Sequence, residues 1–208
     1  MLTHSRPAAL LFVTLLVPVF AWSQRAAEST IATERIFEAI ALRPGITVCE
    51  LGAGDGALTI AAARLVGATG RVFTSELGDE RVKTLRDNVA KSGLANITVV
   101  EGAPAATNLA DSACDALFLR NVYHHFPEPA AMNAAIRSAV KPGARVAVVD
   151  FTPPADEAPT PAERSTDGMH GIKAETLTRE LKEAGFQEVA LERGAQRWFM
   201  VVVSRSDS

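Results

Sequence analysis

From Ile46 onward the chain alternates short apolar runs with stretches of helical periodicity. Ile46–Leu51 is nearly continuous in apolar residues, as expected of a strand buried on both faces. Ala57–Val66 follows with an Ala/Leu/Ile-rich helical pattern. Arg71–Glu76 reads as a second strand, and Asp79–Ser92 as a helix with Val82, Leu85 and Val89 on one face and Gly93 as its stop. Asn96–Glu101, Asp115–Leu119 and Arg145–Phe151 read as three further strands. A helix over Pro127–Val140 separates the last two, with Met132, Ile136 and Val140 on one face. Lys173–Ala184 reads as a helix closed by Gly185, and Phe186–Arg193 with Gln196–Val203 as a final hairpin. Ahead of all these, Ala26–Leu42 is an amphipathic helix stopped by Pro44-Gly45. Alternating strands and helices predict an α/β fold around a mostly parallel sheet.

Two segments break the alternation. Ala8–Ala21 is apolar, preceded by Arg6 and followed by Ala21-Trp22-Ser23, with small residues at the spacing a signal peptidase uses. It is shorter than the roughly 20 residues of a membrane-spanning helix. The expectation is a secretory signal over residues 1–23, ahead of a domain over 24–208. An uncleaved anchor that associates with a membrane through residues 8–21 is the alternative. Thr152–Gly171 carries Pro153, Pro154, Pro159 and Pro161 among acids and small residues, which predicts an irregular loop. Long loops inside compact domains are commonly functional, and this one is expected to form a lid over a substrate.

The first strand breaks into Gly52-Ala53-Gly54-Asp55-Gly56 before the helix begins. Glycines there permit positive φ and let a ligand approach the backbone, and the helix N-terminus offers unpaired N–H groups. Gly52-x-Gly54-x-x-Ala57 fits a loose dinucleotide fingerprint, with Glu76 near the ribose-binding distance. A dehydrogenase of that type would be expected to continue with further β-α units. Glu50-x-Gly52-x-Gly54-x-Gly56 instead resembles the first motif of the class I S-adenosylmethionine-dependent methyltransferases. A carboxylate beside the loop suits a cofactor with an ammonium, a sulfonium and no phosphate.

Further segments carry the same resemblance. Leu119-Arg120-Asn121-Val122-Tyr123-His124-His125-Phe126 is similar to the segment after strand four in quinone-biosynthesis methyltransferases of this family. Lys141-Pro142-Gly143 before a β-branched run, and Glu175-x-Leu177…Leu181-x-x-Ala184-Gly185-Phe186, are further likenesses. The resemblance covers roughly residues 26–203. It implies a Rossmann-like three-layer α/β/α sandwich, with seven strands in the order 3-2-1-4-5-7-6 and an antiparallel last strand. It also implies S-adenosylmethionine as cofactor. Glu50, Gly52, Ala53, Gly54 and Gly56 would hold the cofactor's methionine and backbone-facing side, and Glu76 with Leu77 the ribose. Gly102 and Ala103 would lie at the adenine, and Arg120 and Asn121 at the methionine end. The family pattern at residues 102–104 is Gly-Asp-Ala, the Asp meeting the adenine amino group; here Gly102-Ala103-Pro104 has no such acid. Backbone groups of Gly102 and Ala103 are left to meet the base.

His125, and His170 ahead of the last helix, are the candidate proton acceptors, since histidine titrates near neutrality. Capping or packing is the competing role for His124 and His125, and a solvent-exposed helix start for His170. Cys49 and Cys114, the only cysteines, each fall in a strand and are expected as unbridged core residues. They lack the spacing of a metal site, and no metal is expected. The net charge of −3 over 208 residues gives no nucleic-acid-binding field. The expected reaction is methyl transfer to a small or lipophilic acceptor. The alternative is an exported binding protein that keeps the fold without catalysis, because S-adenosylmethionine is a cytoplasmic product.

Overall fold

The computed structural model describes residues 31–166 and 171–206. The expected leader over 1–23 lies outside the described residues. Strand β1 is Thr47–Leu51, β2 Arg71–Glu76, β3 Ile97–Glu101, β4 Cys114–Arg120, β5 Val140–Phe151, β6 Phe186–Arg193 and β7 Trp198–Arg205. They form one sheet in the order β3-β2-β1-β4-β5-β7-β6. The first five are parallel, and β7 is antiparallel to both β5 and β6. This is the seven-stranded arrangement the resemblance implies.

Side chains alternate across the sheet, and the two faces recruit different helices. Val48, Phe118, Ala147, Val149 and Val202 pack on one face with α1 (Thr33–Ala39) and α2 (Ala57–Val66). Cys49, Leu117, Leu119, Val148 and Val201 pack on the other, with α4 (Pro129–Ala139) and α6 (Ala174–Glu183). Helix α3 (Asp79–Ser92) lies against β2 and β3, burying Val82 and Leu85. The strands read as continuous apolar runs because both faces are covered. β6 is an edge strand, and a bulge between Glu188 and Ala190 interrupts its pairing with β7.

Three expectations are corrected. Cys49 and Cys114 are joined in a disulfide, with their Cα atoms 5.8 Å apart and both side chains fully buried. β1 and β4 are neighbours in the sheet although 65 residues separate the cysteines, and the topology creates this proximity where spacing does not. Lys141-Pro142-Gly143 is part of β5 rather than a turn ahead of it. Pairing passes from Cys114↔Val140 to Ala116↔Arg145, so β5 bulges out extra residues where Pro142 cannot donate to a ladder. The proline-rich segment after β5 is not wholly irregular: Pro161–Thr166 forms the short helix α5.

Helix α5 is held by a buried ionic cluster. Arg164, only 3% exposed, meets both Glu180 oxygens at 3.2 Å and Glu157 at 3.4 Å. Tyr123 donates its hydroxyl to Glu180 at 3.0 Å and accepts from the Asn133 amide at 2.7 Å. Thr176 donates to Glu157 at 2.7 Å. Two carboxylates, one guanidinium and three neutral partners share these bonds, while the buried Arg164 Nε and Asn133 Oδ1 have no hydrogen-bond partner.

Candidate functional site

Open α/β sheets bind ligands beyond the carboxyl ends of their strands, and a cleft of about 680 Å³ opens there. The turn after β1 forms its floor. Gly52 has φ +69°, and a Cβ on it would come within 2.3 Å of Val122. The turn and the segment after β4 therefore approach more closely than any side chain permits.

Glu50 enters the cleft wall from the last turn of β1. It is 4% exposed; alternation along β1 turns it towards α2, where Thr59 donates its hydroxyl to the carboxylate. Thr59 in turn shares a hydrogen bond of 2.8 Å with Thr74 of β2. Burial pushes the Glu50 carboxyl up to about 8, the Thr59 hydrogen bond opposing the shift and the nearby Glu76 adding to it. Arg120 is close enough to oppose the shift as well. A cationic group entering the cleft would find an acid ready to ionise.

Glu76 closes β2 and is 8% exposed. Its carboxylate accepts the Gly54 N–H at 2.6 Å and the Leu77 N–H at 2.8 Å. Arg81 stands 3.7 Å away. Those bonds fix the carboxylate at a strand tip with lone pairs left to accept ligand hydroxyls. Beyond it, Gly102 and Ala103 follow β3, with Leu77 opposite.

On the other side of the turn, Arg120 ends β4 and Asn121 follows it. Asn121 has φ +60°, a conformation asparagine tolerates better than most residues. Its N–H is bound to the Val149 carbonyl at 2.8 Å. Residues held in such regions concentrate at ligand sites. The short 3₁₀ turn Tyr123–His125 comes next.

The paired histidines divide their roles. His124 is 1% exposed, and its Nδ1 lies 2.9 and 3.1 Å from the two oxygens of fully buried Asp150. Asp150 also accepts the backbone N–H groups of His124 and Phe151. His124 is thus a packed, satisfied core residue. His125 is exposed and lines the cleft, its ring 4.0 Å from that of His124. Phe126, Pro127 and Met132 make this side largely apolar, and Ser165 lines it too.

The cleft brings together Glu50, Gly52, Ala53, Gly54, Glu76, Leu77, Gly102, Ala103, Arg120, Asn121 and His125. Gly56 stands behind the cleft as the left-handed N-cap of α2. His170 lies outside the described residues. Thr59, Thr74 and Asp150 support the site without having been singled out by the sequence, and so does Arg164. Asp150 had a signal: an acid closing an apolar strand that neighbours the histidine-bearing one. No cluster able to hold a metal ion is present among the described residues.

The groups in the cleft suit S-adenosylmethionine: the buried Glu50 carboxyl would meet its ammonium, Arg120 its carboxylate and Glu76 its ribose. Residues 42–189 match the family model described as a methyltransferase domain. The chain is 28% identical over 117 residues to a ubiquinone/menaquinone biosynthesis C-methyltransferase of Marinomonas sp., covering 56% of this chain and 47% of that one. It is 30% identical over 156 residues to an arsenite methyltransferase of Halobacterium salinarum, covering 73% and 40%. The chain thus spans about half the length, or less, of these curated relatives. Among solved structures, a SAM-dependent methyltransferase from Aquifex aeolicus superposes with a TM-score of 0.72 at 23% identity, covering 85% of this chain and 90% of that one. A phosphoethanolamine N-methyltransferase of Haemonchus contortus in complex with S-adenosyl-L-methionine superposes at 0.69 with 13% identity, over 84% and 52%. Motif, topology, cleft and family match agree: the chain belongs to the methyltransferase domain family, with S-adenosylmethionine as its cofactor.

Proposed function

We propose that the protein transfers a methyl group from S-adenosylmethionine to a small, lipophilic acceptor. One observation carries the reading: two acids and a glycine turn occupy one half of a cleft whose other half is apolar and holds His125. When bound, the cofactor supplies an electrophilic methyl on a sulfonium that departs as a neutral thioether. The protein's own contribution is alignment and exclusion of water. Glu50 and Arg120 fix the amino-acid end, Glu76 fixes the ribose, and the acceptor is packed by Val122, Phe126 and Met132. Orientation of this kind is worth up to about 7–11 kcal/mol in favourable systems. In transfer, the carbon–sulfur bond breaks as the carbon–acceptor bond forms, and the His125 ring takes the proton the acceptor loses. The two cysteines are bonded to each other inside the core, so a thiol-bound arsenic acceptor has no ligands in the cleft.

The test is calorimetric titration with S-adenosylmethionine, on the protein and on Glu50→Ala, followed by assay of S-adenosylhomocysteine release with apolar acceptors. Saturable binding lost in the variant, and acceptor-dependent release, support the proposal. Absence of binding by the folded protein overturns it.

The Cys49–Cys114 bridge favours a second element of the reading. Buried disulfides persist in oxidising compartments, and the apolar segment 8–21 fits an export signal. Export separates the protein from the site of cofactor synthesis, which favours binding without turnover as the alternative function. Mass spectrometry of the native N-terminus distinguishes cleavage from anchoring. Binding without S-adenosylhomocysteine release would identify the inactive form.

A further inference from the structure

The cleft has a direction. Arg120 and Asn121 follow β4, the glycine turn follows β1, Glu76 ends β2, and Gly102-Ala103 follows β3, in the order of the sheet. With the ribose at Glu76 and the amino-acid end at Arg120, the base falls beyond β2 and β3. The side chains lining that end are Leu77, Ala103, Pro104 and Ala106. None of these four carries a hydrogen-bonding group.

Two backbone N–H groups at the same end are already engaged. The Gly102 N–H donates to the Glu76 carbonyl at 3.0 Å, and the Leu77 N–H donates to the Glu76 carboxylate at 2.8 Å. Ala103 and Ala106 pair with each other across an isolated antiparallel bridge. Arg81, the nearest cation, donates its Nε to the Leu77 carbonyl at 2.9 Å. The Gly102 N–H is thus committed inside the protein.

We propose that the side chains of this base subsite read the purine by shape, so the protein accepts cofactor whose purine lacks the exocyclic amino group. A site built to hydrogen-bond a substrate N–H rejects analogues lacking it by large factors, whereas an apolar wall discriminates weakly between isosteres. Adenine presents a donor at its sixth position and hypoxanthine an acceptor. The side chains of alanine, proline and leucine offer a partner to neither, and either base can pack against them.

The inference rests on the cofactor reading above, and one titration separates the two. S-adenosylhomocysteine and S-inosylhomocysteine are titrated into the full chain. The expected result is dissociation constants within about threefold of each other. Ala103, half-buried at the wall, is then replaced in Ala103→Asp. This adds one acceptor and is expected to favour the adenosyl compound by tenfold or more. A preference for adenosyl beyond about threefold in the unaltered protein overturns the inference and leaves the cofactor intact. An Ala103→Asp variant that stays indifferent also overturns it, by placing the base edge elsewhere. Failure of both compounds to bind overturns the cofactor reading, and the inference with it.

Discussion

Thr59, in the first turn of α2, donates its hydroxyl to the carboxyl of Glu50, the residue that opens the glycine turn nine positions earlier. The bond ties this acid to the helix behind the loop, in a place where burial pushes its pKa up to about 8. At neutral pH the empty cleft therefore carries Glu50 mostly protonated, and a bound ammonium requires the ionised form.

Cofactor affinity should accordingly rise with pH and level off above about 8. Below that value the loss approaches tenfold per pH unit. Calorimetry at pH 7 in buffers of differing ionisation heat should register release of close to one proton per S-adenosylmethionine bound. A pH-independent affinity between 6 and 8 would remove Glu50 from the ammonium site.

The same group shapes stability. Its folded pKa lies above its unfolded value of 4.5, so its stabilising contribution is complete below about 4.5. It is lost as pH rises towards 8. The full span is on the order of 5 kcal/mol. Glu50→Gln keeps the Thr59 contact and removes the titration. Urea unfolding of the variant should show a flatter dependence on pH across that window and greater relative stability at pH 8.5.

Cys49→Ala with Cys114→Ala opens a loop closed across 65 residues. The chain-entropy treatment of such a loop gives a loss of about 4 kcal/mol. Denaturant unfolding with and without a strong reductant should reproduce the difference in the parent and show none in the double variant.

His124→Ala and His125→Ala should part company. The first leaves the buried Asp150 carboxylate short of a donor and should cost about 1–3 kcal/mol of stability. The second removes an exposed ring and should leave stability and cofactor affinity unchanged, while slowing methyl transfer to any acceptor that must lose a proton. Thermal unfolding and S-adenosylhomocysteine release measure the two effects separately.

Arg164→Met leaves Glu157 and Glu180 without their common cation. Breaking a buried pair from one side costs about 3–5 kcal/mol. Limited proteolysis should reveal new cutting near α5 before the rest of the chain unfolds.

What the sequence disclosed and withheld follows one division. Glu50, the glycine turn, Glu76 and the strand pattern are local, carried by residues close together in the chain, and they were legible. The Cys49–Cys114 bridge, the His124–Asp150 pair and the Arg164 cluster depend on which strands and helices become neighbours. Periodicity has no access to that. Asp150 reads as the polar end of an apolar strand until β5 is set beside β4. Arg164 reads as a charge in a proline-rich loop until α5 and α6 close over it. Tyr123, inside a readable motif, becomes a partner of Glu180, 57 positions further along, only once the chain between them is folded.

The bulged edge strand β6 has a consequence for how copies of the protein meet. Its outward surface shows Val189 at 45% and Leu191 at 38% exposure, apolar positions that would otherwise invite a foreign strand. The break at Glu188–Ala190 spoils a straight hydrogen-bonding rim. Ion pairs brace its flanks, Glu188 with Lys182, Glu192 with Arg35 and Arg193 with Glu175. A second sheet could extend this one only by stripping those charges and straightening the strand. The border is thereby insulated against runaway polymerisation.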